Sequence, residues 1–587
     1  ASEDSSMKKL MIGNEAVARG AWEAGVKVVC SYPGTPSTEI TEFCAKYPEM
    51  NCQWAPNEKV AVETSFGACM AGARALSCMK HVGVNVAADP LFTAAYTGVN
   101  GGLVIAAADD PFMHSSQNEQ DTRMIARSAH IPVLEPADSQ ECLDYTKLAY
   151  QLSELYDTPV FLRLTTRLAH SRSPVETGER EEIPLKDYEK NPMKYVMMPG
   201  NAKRRHPIVE ERTKKLIEYA ETTPINRVEF FTDELGIITS STSYQYVKEV
   251  FGEEASVLKL GMINPLPVEL IKNFAAKVKR LVVVEELDPI IETHVKSLGL
   301  NVEGAELLPR IDEFSQNLIA QAFGKTLVPS SQLLVPNIPA RPPVMCAGCP
   351  HRGLFYSLKK RKCTVLGDIG CYTLGAVPPL STIELTLCMG ASIGATHGFN
   401  KVLGKDSEGK TVAVIGDSTF MHSGMTGLAN VAYNQSNSTV IILDNSITGM
   451  TGHQQNPSTG LNIKGDPAGK IDLESLCRAM GINRVRVVDP YNLKECETVL
   501  KEELAKEAPS VIISRRPCAL LKFVKHNPPL CVDTEKCIGC TSCMKIGCPS
   551  ISMKDKKARV DATLCVGCGV CSQLCPKDAF VSTGKEA

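Results

Sequence analysis

Cysteines are concentrated near the end of this chain. Nine of the 23 cysteines in its 587 residues lie between Cys531 and Cys575. Eight of these nine form two runs, each with three cysteines separated by two residues and a fourth that precedes a proline. The runs are Cys537, Cys540, Cys543 and Cys548, and then Cys565, Cys568, Cys571 and Cys575. Such closely spaced thiolates predict a short region whose fold is built around metal clusters.

Two runs of this kind occur in bacterial ferredoxins, where each 4Fe-4S cluster takes three cysteines from one run and the fourth from the other. We therefore assign Cys537, Cys540, Cys543 and Cys575 to the first cluster, and Cys548, Cys565, Cys568 and Cys571 to the second. Four residues rather than three separate Cys543 from Cys548, so we expect an enlarged loop there. Zinc bound by CxxC pairs and a secreted disulfide framework are the alternatives, and neither requires triplets followed by Cys-Pro.

The composition is that of a folded protein with little net charge. Hydrophobic residues make up 43% of the chain and the formal net charge is −3, which argues against nucleic acid or a membrane surface as a partner. No apolar run approaches the roughly 18 to 20 residues that span a bilayer, and the start, ASEDSSMKKL, lacks a secretory apolar segment. We therefore expect a cytoplasmic protein.

Helical and strand patterns alternate through most of the chain, which predicts an α/β fold. The segment EKVAVETSFGACMAGARAL predicts one long helix, and the polar segment from Ser171 to Pro224 predicts a connector. We place a first α/β domain at 1–190, a linker at 191–224, a second α/β domain at 225–325, a linker at 326–345, a third α/β domain at 346–525 and the cluster-binding domain at 526–587.

Polar residues follow two predicted strands of the third α/β domain. Asp417 comes after TVAVIG and Asn445 comes after STVIILD. Because ligands of parallel α/β units bind outside the carboxyl ends of the strands, these side chains can meet there. Carboxylate, amide and carbonyl oxygens suit an octahedral Mg²⁺ that bridges a diphosphate. Asp417, Asn445 and the carbonyl group of Ile447 are the candidate ligands.

The pattern GDS, 25 residues and then DN resembles the GDG…NN motif of thiamine-diphosphate enzymes and departs from it at Ser418 and Asp444. The stretches GDIG and LCMGASIGATHG also resemble that family. The resemblance implies that thiamine diphosphate contacts Gly367, Asp368, Gly370, Met389, Gly390, Ala391, Gly416, Asp417, Ser418 and Asn445. Plain turns are the alternative for the glycines and for the Gly-Asp pair.

Two segments of the first domain, YPGTPSTEI and APNEKVAVETSFGACMAGARAL, resemble the pyrimidine-binding domain of the 2-oxoacid:ferredoxin oxidoreductases. Activation of thiamine requires a buried carboxylic acid beside its aminopyrimidine ring. The resemblance implies Glu58 in this catalytic role, with Glu63 as its rival. Thr35, in the YPGTP turn, matches a residue near the substrate of that family. Pyruvate-specific relatives carry an arginine near the substrate carboxylate, whereas VIAAADDPFMHSS has none and the next arginine is Arg123.

Four further cysteines, Cys346, Cys349, Cys371 and Cys518, resemble the ligands of the cluster nearest to thiamine in this family. They are candidates for a third 4Fe-4S cluster, and separately packed thiols are the alternative. The implied fold class is α/β. It comprises several doubly wound domains of the thiamine-enzyme type, with 225–325 resembling the C-terminal domain of transketolases, and a small bacterial-type ferredoxin domain with two 4Fe-4S clusters.

The segments KHVGVNVAADP, DDPFMHSSQNEQD and CAGCPHRG also resemble the members of this family that act on aryl pyruvates. That resemblance implies oxidative decarboxylation of aryl pyruvates, indolepyruvate first among them, to aryl acetyl-CoA. A thiamine carbanion and enamine would carry the chemistry, coenzyme A would take the acyl group, and the clusters would pass electrons to ferredoxin. A smaller beta subunit is the implied partner, in an α2β2 assembly. The alternatives are another 2-oxoacid substrate, a non-catalytic electron-transfer scaffold subunit and a non-oxidative thiamine decarboxylase.

Overall fold

The structure, a computed structural model, describes residues 7–326, 339 and 342–585. Most of the predicted linker 326–345 therefore lies outside the described residues. None of the helices in the described ranges combines the length and the apolar character that crossing a membrane requires.

The chain separates into two compact units, Ala1–Leu334 and Val335–Ala587. The first unit contains the first two α/β domains that were predicted, and the second contains the third α/β domain and the cluster-binding domain.

Strands and helices alternate through the first unit. Its strands are β1 Met7–Ile12, β2 Val28–Ser31, β3 Asn51–Trp54, β4 Ala75–Lys80, β5 Leu103–Asp109, β6 Val133–Leu134, β7 Val160–Thr165, β8 Arg172–Thr177, β9 Arg227–Glu229, β10 Leu235–Ser240, β11 Ser256–Leu260, β12 Met262–Asn264 and β13 Arg280–Val284. Its helices are α1 Gly13–Glu23, α2 Thr38–Cys44, α3 Glu58–Met70, α4 His81–Val86, α5 Ala88–Thr97, α6 Thr122–Ser128, α7 Ser139–Tyr156, α8 Thr166–His170, α9 Pro192–Tyr195, α10 Pro199–Thr222, α11 Ser241–Phe251, α12 Glu269–Ala275, α13 Ile290–Ser297 and α14 Gln316–Ala322.

Two mainly parallel sheets organise the first unit. The larger has the strand order β12-β6-β7-β5-β4-β2-β3 and the smaller has the order β13-β10-β11-β9. Strand β12 comes from the second predicted domain, yet it pairs antiparallel with β6 of the larger sheet. A single hydrophobic core also includes Leu103 and Phe161 of the larger sheet and Leu258 and Val283 of the smaller. This shared core explains why two predicted domains form one compact unit.

The predicted linker 191–224 contains a long helix, α10, which the sequence analysis missed. Val209 and Leu216 are buried on one side of this helix. The guanidinium group of Arg212 donates a hydrogen bond to the carbonyl oxygen of Ala95 near the end of α5 (2.8 Å). The apolar positions of this helix are widely spaced between charged residues, so its helical period is weak in the sequence. The buried side chain of Arg212 fills part of the packed face that apolar residues would otherwise occupy.

The long helix predicted from Glu58 to Leu76 is wrong in its second half, because α3 ends at Met70 and β4 follows. Gly72 has a φ of +91°, and a Cβ at this position would lie 1.9 Å from the carbonyl oxygen of Lys186. A glycine in the left-handed region is a common end of a helix, since other residues pay a steric penalty there. The helix therefore ends just before Gly72, whose left-handed backbone and close contact with Lys186 exclude a side chain.

A buried network of charges connects the two sheets of the first unit. Arg123, on α6 and 1% exposed, donates to Asp121 (2.6 Å) and to Glu285, which follows β13 (3.2 Å). Arg163, on β7, donates to Glu135 (2.7 Å). Removing one partner of a buried ion pair leaves the other charge uncompensated, which typically costs about 3 to 5 kcal/mol.

We therefore expect Arg123→Met to lower the free energy of unfolding of the first unit by about 3 to 5 kcal/mol. Urea unfolding followed by tryptophan fluorescence measures this, because both tryptophans of the chain, Trp22 and Trp54, lie in this unit. The control is Arg310→Met, which removes an exposed ion pair with Asp288 and should cost about 1 kcal/mol or less. Equal effects of the two substitutions would contradict a structural role for the buried network.

In the part of the second unit that the structure describes, the strands form one parallel sheet and two small antiparallel ribbons. Its strands are β14 Thr364–Leu366, β15 Ile383–Leu385, β16 Thr411–Gly416, β17 Thr439–Asp444, β18 Arg484–Val488, β19 Ser510–Arg515, β20 Leu530–Val532, β21 Ile551–Lys554, β22 Lys557–Val560 and β23 Phe580–Ser582. Its helices are α15 His351–Lys360, α16 Ala391–Leu403, α17 Lys405–Glu408, α18 Asp417–Thr419, α19 Met425–Tyr433, α20 Leu473–Ala479 and α21 Leu493–Leu504.

The parallel sheet of the second unit has the strand order β15-β14-β16-β17-β19-β18. The ribbons β20–β23 and β21–β22 carry the cysteine-rich loops at the end of the chain. The parallel sheets and their intervening helices confirm the predicted α/β fold class.

Candidate functional site

Asp417 and Asn445 lie together at the carboxyl edge of the six-stranded sheet. Asp417 directly follows β16 and Asn445 directly follows β17, and these two strands are neighbours. Both residues are buried. One polar atom of the Asn445 amide lies 3.2 Å from Oδ1 of Asp417 and 2.8 Å from the carbonyl oxygen of Ile447. The structure thus brings the three predicted Mg²⁺ ligands together.

These three groups fit a divalent cation. With the amide nitrogen of Asn445 turned inward, it donates hydrogen bonds to both oxygens; with the amide oxygen turned inward, three oxygens converge and a cation would hold them together. Burial and the neighbouring Asp444 raise the pKa of Asp417 to about 7. A bound cation would favour the ionised carboxylate instead.

A serine that the sequence analysis missed also reaches this site. The hydroxyl group of Ser458 donates to Oδ2 of Asp417 (3.3 Å) and to Oδ1 of Asn456 (2.6 Å). Ser458 and Asn456 belong to the polar segment TGHQQNPSTG, in the loop that follows β17. A polar, glycine-containing loop directly after a site-bearing strand is the signal that would have identified it.

The predicted glycines lie in tightly packed backbone. A Cβ on Gly416 would lie 2.8 Å from Cε1 of Tyr372, and a Cβ on Gly370 would lie 2.3 Å from the same atom. A Cβ on Gly367 would lie 2.8 Å from Cγ2 of Ile383. These contacts explain the glycines by packing within the protein, and their predicted contacts with a diphosphate stay a prediction.

Asp368 fixes the turn that carries Met389, Gly390 and Ala391. Its fully buried carboxylate accepts hydrogen bonds from the backbone N–H groups of Gly390 (2.9 Å) and Ser392 (3.0 Å). Gly390 has a φ of +89° and precedes α16. Asp368 therefore acts on the predicted cofactor-binding turn through the backbone.

The two departures from the thiamine motif have partners within the fold. Asp444 accepts a hydrogen bond from Arg515 on the paired strand β19 (2.8 Å). The hydroxyl group of Ser418 accepts one from Thr448 (2.9 Å). The side chains of Asp444 and Ser418 therefore each have a hydrogen-bond partner beside the predicted metal ligands.

In the first unit, Glu58 is a buried acid at the start of α3. It is 3% exposed, and the side chain of Asn57 caps the helix directly before it. A Cβ on Gly83 would lie 2.6 Å from Oε1 of Glu58, so this glycine leaves room for the carboxyl group. The rival, Glu63, is 44% exposed and pairs with Lys59 on the helix surface. Glu58 therefore has the burial that the catalytic role requires.

Thr35 lies at the same edge of the larger sheet of the first unit. It follows β2, and Glu58 follows the neighbouring parallel strand β3. The carbonyl oxygen of Thr35 accepts a hydrogen bond from the hydroxyl group of Ser115 (3.3 Å), in the loop after β5. Parallel strands bring the residues that follow them to one edge, so Thr35 and Glu58 share a side of the sheet.

The eight C-terminal cysteines form two sets in the second unit. One cavity is lined by Cys537, Cys540, Cys543 and Cys575, and another by Cys548, Cys565, Cys568 and Cys571. Each set contains three cysteines of one run and the fourth of the other, as the sequence analysis predicted. In the described part of the chain, no group of three His, Cys, Asp or Glu side chains has the arrangement of a single-ion site; a cube of iron and sulfur is larger than one ion and needs wider spacing.

Backbone N–H groups point at sulfur atoms of both sets. Ala558 donates to Sγ of Cys537 (3.5 Å) and Ala579 to Sγ of Cys575 (3.3 Å). Gly567 donates to Sγ of Cys565 (3.4 Å). Such hydrogen bonds stabilise ligating thiolates and set the reduction potential of a cluster.

The third set of cysteines lies between the Asn445 edge and the second cysteine set. The backbone N–H group of Cys518 donates to the carbonyl oxygen of Asn445 (2.9 Å). Burial, together with the nearby thiols of Cys518 and Cys346, raises the pKa of the Cys371 thiol to about 11. Cys349 lines the same cavity as the second set.

Arg352 connects the third set to the second. It is 4% exposed and donates to the carbonyl oxygens of Cys346 (3.1 Å) and Ile546 (3.2 Å). Ile546 belongs to the enlarged loop before Cys548, where Ser542–Ile546 forms a 3-10 turn. One buried cation therefore fixes the spacing between the two groups of cysteines.

Three protein-family models match separate parts of the chain. The model for the thiamine-diphosphate-binding domain of pyruvate flavodoxin/ferredoxin oxidoreductases matches residues 19–233. The model for the C-terminal domain of thiamine pyrophosphate enzymes matches 368–514, and a 4Fe-4S binding domain matches 558–581. Together with the site geometry, these matches define a thiamine-diphosphate-dependent oxidoreductase with an iron-sulfur centre.

Curated relatives identify the family more closely. The indolepyruvate oxidoreductase subunit IorA of Pyrococcus horikoshii is 42% identical over 98% of this chain and 96% of its own length, and that of Archaeoglobus fulgidus is 40% identical over 98% and 97%. This chain belongs to the IorA family of the 2-oxoacid:ferredoxin oxidoreductases. The predicted family and the prediction of an oxidoreductase are thereby confirmed.

A more distant match is a solved structure of 2-oxoglutarate:ferredoxin oxidoreductase from Magnetococcus marinus, with 2-oxoglutarate, coenzyme A and succinyl-CoA bound. It is 17% identical, with a TM-score of 0.47, over 54% of this chain and 65% of that chain.

Proposed function

We propose that this chain is the thiamine-bearing large subunit of an enzyme that oxidises aryl pyruvates, indolepyruvate first among them, to aryl acetyl-CoA with ferredoxin as electron acceptor. The observation that carries the proposal is the continuity, within the second unit, from the Asp417–Asn445 site through Cys518 and Cys371 to the two C-terminal cysteine sets. A decarboxylase without electron transfer would have no use for such a series. The names of the nearly full-length IorA relatives support the choice of substrate.

In the proposed reaction the substrate carboxylate leaves as carbon dioxide. When bound, thiamine diphosphate would supply the nucleophilic carbon and a sink for the electron pair of the broken carbon–carbon bond. The acyl group would form a thioester with the sulfur of coenzyme A, whose thiol proton would be released. Clusters held by the cysteine sets would carry the two electrons one at a time to two oxidised ferredoxins.

The residues of the chain have distinct proposed roles. Asp417, Asn445 and the carbonyl group of Ile447 would hold a Mg²⁺ that neutralises the charge of the diphosphate. Glu58 exchanges a proton with the aminopyrimidine ring, and Thr35 contacts the substrate.

We also propose that Cys346, Cys349, Cys371 and Cys518 bind a third 4Fe-4S cluster. We expect Cys371→Ser to lower the iron content from about 12 to about 8 atoms per chain and to slow electron transfer to ferredoxin while thiamine stays bound. Iron analysis of anaerobically prepared protein measures this. Cys531→Ser, at an exposed cysteine outside the runs, is the control. Eight iron atoms in the unsubstituted protein would rule out the third cluster.

A smaller beta subunit and a cytoplasmic α2β2 assembly complete the proposal, since the relatives are themselves named as subunits. Co-purification with the beta subunit and a mass measurement in solution test it. A fully active large subunit without any partner would contradict it.

Turnover with a panel of 2-oxoacids tests the proposed substrate. With coenzyme A and ferredoxin, the highest kcat/KM is expected for indolepyruvate, compared with phenylpyruvate, pyruvate, 2-oxoglutarate and a branched-chain 2-oxoacid. A clearly higher kcat/KM for a non-aromatic 2-oxoacid would contradict the assignment of indolepyruvate as the substrate. Protein that binds no thiamine diphosphate with Mg²⁺ would instead favour a scaffold subunit, and aldehyde as the sole product would favour a non-oxidative decarboxylase.

A further inference from the structure

Lys80 lies at the same edge of the larger sheet as Thr35 and Glu58. It is the last residue of β4, which runs parallel between β2 and β5. The stem of its side chain passes over the turn before Thr35, because a Cβ on Gly34 would lie 3.1 Å from Cγ of Lys80. A cation is therefore placed beside the two residues that the proposed function uses in this unit.

The ammonium group of Lys80 has donors that the protein leaves unused. It donates one hydrogen bond, to the carbonyl oxygen of Ser115 (2.9 Å), and an ammonium has three N–H groups. The nearby Asp110 carboxylate accepts instead from Ser115, Ser116 and Thr166 at 2.6 to 2.8 Å. Among the described residues, no carboxylate forms an ion pair with Lys80.

Burial lowers the pKa of Lys80, although Asp110 and Glu58 act in the opposite direction. A poorly solvated ammonium gains more from an anionic ligand than one that is fully hydrated. The side chain nevertheless keeps some accessible surface, so a small ligand can reach it.

The arginines of this region are already paired. The pairs are Arg123 with Asp121, Arg163 with Glu135, and Arg167 with Glu313. Arg123, the first arginine after the VIAAADDPFMHSS segment, is 1% exposed and cannot reach a ligand. Among the described residues at this edge, Lys80 is therefore a cation that has no carboxylate partner and that an incoming anion can reach.

An apolar surface lies in the loop that Lys80 contacts. Phe112 and Met113 are 50% and 44% exposed, although both are large and apolar. Their φ angles are +66° and +53°, a region that costs energy for residues other than glycine and is found at binding sites. The loop therefore presents an aromatic and a thioether side chain near a cation.

We propose that Lys80 binds the carboxylate of the 2-oxoacid substrate by a charge-assisted hydrogen bond, with the aryl group of the substrate against Phe112 and Met113. This inference rests on the proposed function. A lysine presents a compact charge on a flexible stem, which tolerates a bulkier substrate than a rigid two-pronged guanidinium contact does.

The test uses the enzyme with its partner subunit, thiamine and clusters, and compares Lys80→Met and Lys80→Gln with the unsubstituted protein. KM for indolepyruvate is expected to rise roughly 10- to 100-fold with a smaller change in kcat, because a hydrogen bond to a charged group is lost. Inhibition by indole-3-propionate and by its neutral amide is measured in parallel. The acid should lose affinity roughly 10-fold or more and the amide should change little. Lys59→Met, on the exposed surface of α3, is the matched control.

The acid and amide pair separates recognition from structure. Equal losses for both inhibitors would show that Lys80 only supports the loop at Ser115, and unchanged KM and inhibition would show that the carboxylate binds elsewhere; either result overturns the proposal. If Lys80→Met does not fold, Lys80→Gln still tests it, since an amide can keep a hydrogen bond without the charge. Failure of the proposed function would be distinguishable from failure of the Lys80 proposal, because the unsubstituted enzyme would then turn over no 2-oxoacid.

Discussion

Replacing Glu58 by glutamine is expected to lower kcat for oxidative decarboxylation by roughly 10²- to 10⁴-fold, the usual contribution of a positioned proton-transfer group. Glutamine nearly preserves the shape of the side chain, so the start of α3 and the space left by Gly83 should be maintained. It cannot exchange a proton with the aminopyrimidine ring. Anaerobic reduction of a dye by indolepyruvate measures the rate, and the thiamine content of the protein is measured on the same samples.

Glu63→Gln is the matched control because this acid lies on the same helix but is exposed. Its kcat should stay within about 2-fold of the unsubstituted enzyme, since exposed substitutions away from a site have small effects. If Glu63→Gln abolished turnover and Glu58→Gln did not, the assignment of the catalytic acid would be reversed. A Glu58→Gln protein without thiamine would point to binding rather than proton transfer.

Replacing Cys571 by serine is expected to remove about four iron atoms per chain and to stop electron delivery to ferredoxin. The cysteine-rich domain is small, and its hydrophobic core contains Cys537, Cys543 and Cys571 themselves. Cluster ligation therefore supplies stability that this core cannot provide alone. Iron analysis and limited proteolysis measure the two effects, and cleavage should concentrate after about residue 526.

Cys531→Ser is the control for this substitution because Cys531 is exposed and belongs to neither set. It should retain its iron and its resistance to protease. A Cys571→Ser protein with a full complement of iron and normal ferredoxin reduction would show that Cys571 is not a ligand. An iron-free protein that stays fully resistant to protease would show that the domain folds without its clusters.

The cysteine pattern was the most informative part of the sequence because ligand spacing is local. Three cysteines separated by two residues constrain a single turn of chain, so their grouping follows from the sequence even before the fold is known. Asp417 and Asn445 were predictable for a related reason, since both directly follow buried strands of one parallel sheet.

The parts that the sequence did not reveal depend on contacts between distant segments. The end of α3 is decided by Gly72 against Lys186, more than 100 residues further along the chain. The helix α10 is stabilised by an arginine that reaches the carbonyl groups at the end of α5. The unused donors of the Lys80 ammonium group become visible when the partners of Asp110 are known.

Under the proposed function, electrons taken from a 2-oxoacid reach the clusters of the same chain. The most direct measurement is the anaerobic addition of indolepyruvate and coenzyme A to holoenzyme, followed by visible absorption and electron paramagnetic resonance. We predict loss of the absorption of the oxidised clusters and the appearance of reduced-cluster signals, and both changes should be slowed roughly 10²- to 10⁴-fold in Glu58→Gln. Consumption of indolepyruvate by protein with full thiamine and iron, while its clusters stay oxidised, would contradict the claim.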